Sequence, residues 1–256
     1  MNHAVCIVPV APVRASNDHR AEMSSQLVFG ESVFIHGQSN GWADIECVND
    51  GYRGCCRVNQ LKLQESPLTS LKIYTADWVQ PLALNNEQLM LPLGSDLSIL
   101  HANSPQLKIG YEGNAINAAA EAFDPRNIAK FAFPYLNTAY LWGGRTVFGI
   151  DCSGFAQVVF KMMDVSLPRD ANQQVTVGGA VGFLEEAHCG DLAFFDDPDG
   201  KIVHVGILLT PSTIIHASGN VRIDKIDNQG IIHSQTNNRT HHIRTIRRMN
   251  EPVGLK

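Results

Sequence analysis

The sequence predicts an α+β protein in which a small all-β barrel precedes a domain whose helices come first and whose antiparallel sheet follows. Three observations predict it. Up to about residue 62, short strand-like runs alternate with turn residues, at Gly30, Asn40-Gly41 and Asn49-Asp50-Gly51. Between Asn114 and Met163 helix signals follow one another, an Ala-rich run, a proline-led run and an apolar helical face after Asp151, and after Asp191 runs of strand character return.

In the first part the expected strands are Ala4–Val10, Ser25–Phe29, Ser32–Gly37, Gly41–Cys47 and Arg53–Val58. The apolar stretches Leu71–Tyr74, Gln88–Leu93 and Leu97–Leu100 are brief and interrupted by proline, which suggests a second β-rich segment. Three segments are therefore expected: 1–62, 63–112 and 113–256. In the last, the Ala-rich run from Asn114 to Ala122 favours a helix, and Pro125 followed by Asn127–Phe133 suggests another that ends near Pro134. Asp151 is an N-cap candidate, because Phe155, Val158, Val159, Met162 and Met163 follow it on one helical face. Asp191–Phe195, Lys201–Leu209, Thr213–Ala217 and Ile243–Arg248 read as strands.

Composition narrows the classes. With 44% hydrophobic and 18% charged residues the chain can bury a core, which removes disordered and fibrous proteins. A net charge of −5 offers no footprint for nucleic acid, and the Arg244, Arg247, Arg248 cluster is too short to create one. Pro9 and Pro12 break the Val5–Val13 run and no basic residue precedes it, so a signal peptide is not expected and a cytoplasmic protein is. No stretch approaches the roughly 20 apolar residues of a spanning helix, so no membrane partner is expected. The six cysteines lack a CxxC pair and zinc spacing, which predicts reduced thiols and no metal.

The chemistry gathers at Cys152. A thiol attacks as the thiolate, so a catalytic cysteine needs positive potential, and the first turn of a helix supplies exposed N–H groups that also suit an oxyanion. Gly143, Gly144 and Gly149 flank the approach and allow close passage of backbone. Two histidines occur at strand spacing. His204 shares a face with Ile202, Gly206 and Leu208, and His216 with Ile214 and Ser218. If Thr210-Pro211-Ser212 forms a three-residue loop, Gly206 lies opposite His216 and the two imidazoles meet diagonally, whereas a two-residue loop would put them on opposite faces. Singly, each has a bland explanation: a cysteine at a helix start as a small buried hydrophobe, Asp151 as a cap, a strand histidine as a satisfied core residue. In sequence they form the order of a cysteine peptidase, with a nucleophile, a base and an orienting polar group.

Six ordered motifs sharpen this: Tyr140-Leu-Trp-Gly-Gly144, Asp151-Cys-Ser-Gly-Phe155, Leu167-Pro-Arg-Asp170, Gly190-Asp-Leu192, His204-Val-Gly206 and Ile215-His-Ala-Ser218. Over residues 113 to 248 the chain resembles the NlpC/P60 peptidases, and its N-terminal part resembles a bacterial SH3 domain. The resemblance implies a papain-like catalytic domain behind an SH3-like barrel. It makes Cys152 the nucleophile, His204 the general base, His216 its orienter and Tyr140 a contributor to the oxyanion site.

It further implies cleavage between γ-linked D-glutamate and a diamino acid such as diaminopimelate in murein peptides. Members with an SH3 domain ahead of the peptidase resemble enzymes that require a free N-terminal L-alanine and serve cell-wall peptide recycling. In those, Asp151 contacts the substrate amine, with Glu22 and Tyr52 as the barrel's candidates and Ser153, Arg169 and Asp170 near the remaining polar groups. A confined cation needs a fixed carboxylate, and a barrel at the cleft excludes longer peptides. The expected partner is thus a murein-derived peptide bound by a monomer without cofactor. Two departures stand out: Gly54-Cys55-Cys56 where the SH3 pattern has Gly-Trp-Val, and Ala171 where many relatives have serine. The rival functions are a murein-binding protein with a passive second domain, or an acyltransferase or amidase on the same scaffold.

Overall fold

A computed structural model of the chain describes residues 2–66, 68–102, 107–121 and 123–249. It divides into two compact units, residues 1–121 with 142–148 and residues 122–141 with 149–256.

The first unit opens with seven strands, β1 (Asn2–Cys6), β2 (Val10–Arg14), β3 (Met23–Val28), β4 (Ser32–Ser39), β5 (Trp42–Cys47), β6 (Arg53–Arg57) and β7 (Leu61–Gln64), in the order β3-β2-β6-β5-β4-β1-β7. Alternation drives the packing: Ala11 and Val13, Val33 and Ile35, Ala43, Ile45 and Cys47 point into one core, which Cys6 and Cys56 complete. Of the unusual cysteine pair, Cys56 thus enters the core, while Cys55 turns to the other face and its Sγ donates to Asp44 Oδ1 at 3.3 Å. Gly30 carries the chain past Asp96 at a φ of 83°, where a Cβ would lie 1.8 Å from the Asp96 carbonyl oxygen.

The described residues between 63 and 112 include short β-strands. Strands β9 (Val79–Leu84) and β10 (Glu87–Pro92) make a hairpin, β11 (Ile109–Gly110) pairs with β9, and Leu82, Leu84, Leu91, Leu97 and Ile99 pack with Val5 and Phe29. The Ala-rich run differs from expectation. β8 (Ile73–Thr75) pairs with β12 (Ala115–Asn117), and only α1 (Ala118–Glu121) is helical, because a strand partner outweighs the weak alanine preference. Ala122, the expected last residue of that helix, lies outside the described residues. β13 (Arg145–Thr146) also belongs to this unit, where the buried Arg145 guanidinium makes a bidentate pair with Glu31 at 2.8 and 3.0 Å.

In the second unit, α2 (Ile128–Ala132) sits where the proline signal predicts a helix, with a 3-10 turn at each end. After β14 (Gly149–Ile150) comes α3 (Cys152–Lys161), in which every residue from Cys152 to Phe160 is buried. Burial of its large apolar side chains contributes about 1.5–3 kcal/mol each. Then follow α4 (Ala171–Gln174), β15 (Gly179–Val181), β16 (Leu192–Asp196), β17 (Ile202–Thr210), β18 (Thr213–Ser218), β19 (Asn220–Asp227), β20 (Gly230–Ile232) and β21 (Arg239–Arg248). The sheet order is β15-β21-β16-β17-β18-β19-β20, and a further pairing of β20 with β21 closes six of these strands into a ring. Ala193, Phe195, Leu208, Ile214, Ile226 and Ile231 fill its interior.

The β17–β18 turn corrects the expected hairpin. Thr210 pairs with Thr213, so the loop has two residues, the case expected to separate the histidines. Leu209 is bulged, however, and from Leu208↔Ile214 inward the register is the one a three-residue loop would give. The bulge restores the parity that the short loop would have lost.

Candidate active site

Asp151 caps α3, its Oδ1 accepting from the Gly154 amide at 2.6 Å, and this places Cys152 in the first turn. Cys152 is only 6% exposed. Burial pushes its thiol up to about 12, with the Asp151 charge acting the same way, while the amides of Val205 and Ser153 and the Arg169 charge pull it down. The helix terminus therefore does not produce the thiolate that the sequence suggested, because desolvation of a charge outweighs a few oriented dipoles. Burial thus favours the neutral thiol over the thiolate at rest.

Val205, against which that thiol lies, follows His204 on β17. The His204 Nε2 and the His216 Nδ1 are 2.9 Å apart, and His216 Nε2 reaches Asp224 Oδ2 at 3.0 Å. Asp224 also accepts from Arg222 Nε at 2.8 Å and from the Ser234 amide at 2.8 Å. Against the burial that raises it, these hydrogen bonds hold the Asp224 carboxyl well below the usual range. An ionised carboxylate only accepts, which fixes the rest of the chain: His216 carries its proton on Nε2, its Nδ1 accepts from His204 Nε2–H, and His204 Nδ1 is left with a lone pair. Burial lowers His204 well below its ordinary value, helped by His216, His241 and Arg222. It also lowers His216, although Asp224 opposes it. A proton-accepting nitrogen and an uncharged thiol thus coexist at neutral pH.

Gly206, between His204 and Leu208, makes this pairing possible. A Cβ there would lie 2.6 Å from Ile214 Cδ1 and 2.9 Å from His216 Cβ.

The other predicted residues are distributed over several elements and both units. Tyr140 is half-buried and pairs with Ile150, the residue before Asp151; burial and the Cys152 and Asp151 charges keep its phenol protonated, hence a donor. Arg169, 1% exposed, pairs with both Asp151 oxygens, at 3.1 and 2.5 Å, and donates to Ser153 Oγ at 2.9 Å. Asp170 caps α4 in a capping box with Gln173. Glu22 and Tyr52 lie in the other unit. Glu22 is exposed and accepts from Trp142 Nε1 at 2.6 Å, and Tyr52 packs on the barrel core.

Two residues escape the sequence analysis, Asp224 and His241. A tight turn at Gly219 would have set His216 opposite Arg222 and hence Asp224 diagonally on the same face, as observed. For His241 the sequence holds no signal, since alternation from Ile246 points to His242 instead.

Residues 137–240, which include Tyr140, Cys152, both histidines of the hydrogen-bonded chain and Asp224, match the NlpC/P60 family. The chain carries an NlpC/P60 cysteine peptidase domain. Residues 13–61 match the bacterial dipeptidyl-peptidase SH3 domain, so the peptidase domain follows an SH3 domain. Among relatives, the γ-D-glutamyl-L-lysine dipeptidyl-peptidase of Bacillus subtilis (strain 168) is 26% identical over 214 residues, 76% of this chain and 72% of its own. Dipeptidyl-peptidase 6 of Lysinibacillus sphaericus is 27% identical over 267 residues, 91% of this chain and 95% of its own. An NlpC/P60 family protein from Bacillus cereus ATCC 10987 shares the fold, with a TM-score of 0.75 at 18% identity over 96% of this chain and 99% of that one. No helix among the described residues is long and apolar enough to cross a membrane.

Proposed function

We propose that this NlpC/P60 enzyme cleaves the bond between γ-linked D-glutamate and the diamino acid of murein peptides that carry a free N-terminal L-alanine, and that it serves their recycling in the cytoplasm. The observation that supports the chemistry is the Asp224–His216–His204 chain, which leaves His204 Nδ1 as an acceptor one residue before Val205, whose backbone meets the Cys152 thiol. The substrate class is supported by the dipeptidyl-peptidase relatives and by the SH3 domain. Six cysteines that are all free suit a reducing compartment.

In this mechanism His204 Nδ1 takes the Cys152 proton as Sγ bonds to the D-glutamyl γ-carbonyl carbon, so charge appears only as the bond forms. The Tyr140 hydroxyl and first-turn amides of α3 receive the oxyanion. Collapse of the tetrahedral intermediate breaks the C–N bond, and the imidazolium gives its proton to the leaving amine. Water, deprotonated by His204, then hydrolyses the thioester and regenerates the thiol. Asp151 contributes charge toward the substrate amine, and Arg169 with Ser153 fixes its carboxylate.

The test is mass spectrometry of products from L-Ala-γ-D-Glu-diaminopimelate with a free or an acetylated N-terminus. Release of L-Ala-D-Glu from the free peptide alone is expected. Equal cleavage of both would remove the role given to Asp151, and binding to intact murein without cleavage would favour a receptor. Cys152→Ala should lower turnover by about 10⁴-fold or more while the peptide still binds.

A further inference from the structure

Strand β21 departs from regular alternation at two points. Ile246 packs in the ring's interior, so strict alternation would send Arg244 and His242 inward and His241 out. Opposite β16 the register runs from Phe194↔Thr245 to Phe195↔Ile243, skipping Arg244, and opposite β20 it runs from Ile231↔His241 to Ile232↔Arg239, skipping Thr240. The bulge at Arg244 reverses the parity, so Ile243 packs against the interior and His241 turns inward. The Thr240 hydroxyl lies 2.8 Å from His241 Nδ1.

The ring so placed lies flat on His204, with centroids 4.2 Å apart and planes 25° from parallel. His216 meets His204 edge-on, at 5.1 Å and 83°, and Phe195 lies tilted at 5.6 Å. His241 in turn has its own edge contacts with Phe195 and His216, each at 5.7 Å. Rings from β16, β18 and β21 thereby fence one imidazole.

We propose that His241 is a positioning residue of the peptidase site, whose stacked ring fixes the plane of His204 so that Nε2 stays on His216 while Nδ1 is presented to the Cys152 thiol. The proposal rests on His204 being the base. An imidazole held by a single hydrogen bond can swing about it, and a ring pressed on its face removes that freedom. The position matters because misplacing a reacting group by about 1 Å costs on the order of 100-fold in rate. The stacked partner must also be uncharged, since a second cation would oppose the imidazolium that His204 becomes. Burial, with the His216 and Arg222 charges, pushes His241 down to about 4, so it is neutral at physiological pH.

The experiment compares wild type with His204→Ala, His241→Ala and His241→Phe. It reads kcat and KM on L-Ala-γ-D-Glu-diaminopimelate and, without substrate, the rate of Cys152 alkylation by iodoacetamide located by peptide mass spectrometry. His241→Ala should lower kcat by about 10- to 100-fold with KM changed less than about twofold, and slow alkylation by about tenfold. His241→Phe, which keeps a flat ring, should recover both rates to within about threefold. A wild-type kcat and alkylation rate in His241→Ala, or a His241→Phe variant as slow as His241→Ala, would overturn the proposal. If His204→Ala is inactive in either case, the base assignment stands alone; if His204→Ala keeps full turnover and alkylation, the base assignment is what fails.

Discussion

Replacing Asp224 by asparagine keeps the shape of the side chain but removes the charge that makes His216 a donor at Nε2. His204 would then lose the partner that keeps its own proton on Nε2. We expect Asp224→Asn to lower kcat by roughly 10- to 100-fold, and His216→Ala by about 10³-fold or more, with smaller changes in KM, as steady-state kinetics will show. The pH profile follows from the same residues. The base is needed unprotonated, and His204 is depressed well below its ordinary value, so kcat/KM should hold as pH falls through 6.5 and decline only below it. The thiol, pushed up to about 12, adds no alkaline limb near its ordinary value of about 8.5. A limb at pH 6.5 to 7 in the rate profile would mean that the imidazole is hydrated, contrary to its buried place.

At the scale of elements, the sequence discloses α3 and its cysteine because the signals are local: a cap, then apolar residues on one helical face. The strands that hold His204 and His216 are equally legible, yet their facing depends on a bulge at Leu209 that no residue type announces. Asp224 stays hidden for another reason. In Val221-Arg222-Ile223-Asp224 alternation reads the charged residues as the solvent face, whereas Asp224 is buried and its charge is offset by Arg222 and His216. Gly206 belongs to this scale too. Gly206→Ala should force Ile214 and His216 apart, costing about 1–3 kcal/mol in urea unfolding and a measurable loss of kcat. In the first unit, Glu31→Ala would leave the Arg145 guanidinium buried without its carboxylate, a change worth about 3–5 kcal/mol in the same measurement.

For the molecule as a whole, the buried ionisable groups set a pH window of stability. His204, His216 and His241 all have folded values below that of an unfolded histidine, so on acidification the unfolded chain takes up protons first and stability falls below about pH 6.5. Burial raises Cys6, Cys47, Cys56 and Cys152, so above about pH 8.5 unfolded thiols lose protons that the folded ones keep, and stability falls again. Thermal unfolding midpoints should be highest between these limits; a midpoint that rises from pH 6.5 to 5 would contradict the burial of the histidines. The closed ring has a bearing on synthesis as well. Its last strand, β21, both seals the wall against β20 and delivers the ring that lies on His204, almost ninety residues after the nucleophile has left the ribosome. A chain halted before Arg239 would display the thiol helix with the sheet wall open between β20 and β16 and with no ring on His204.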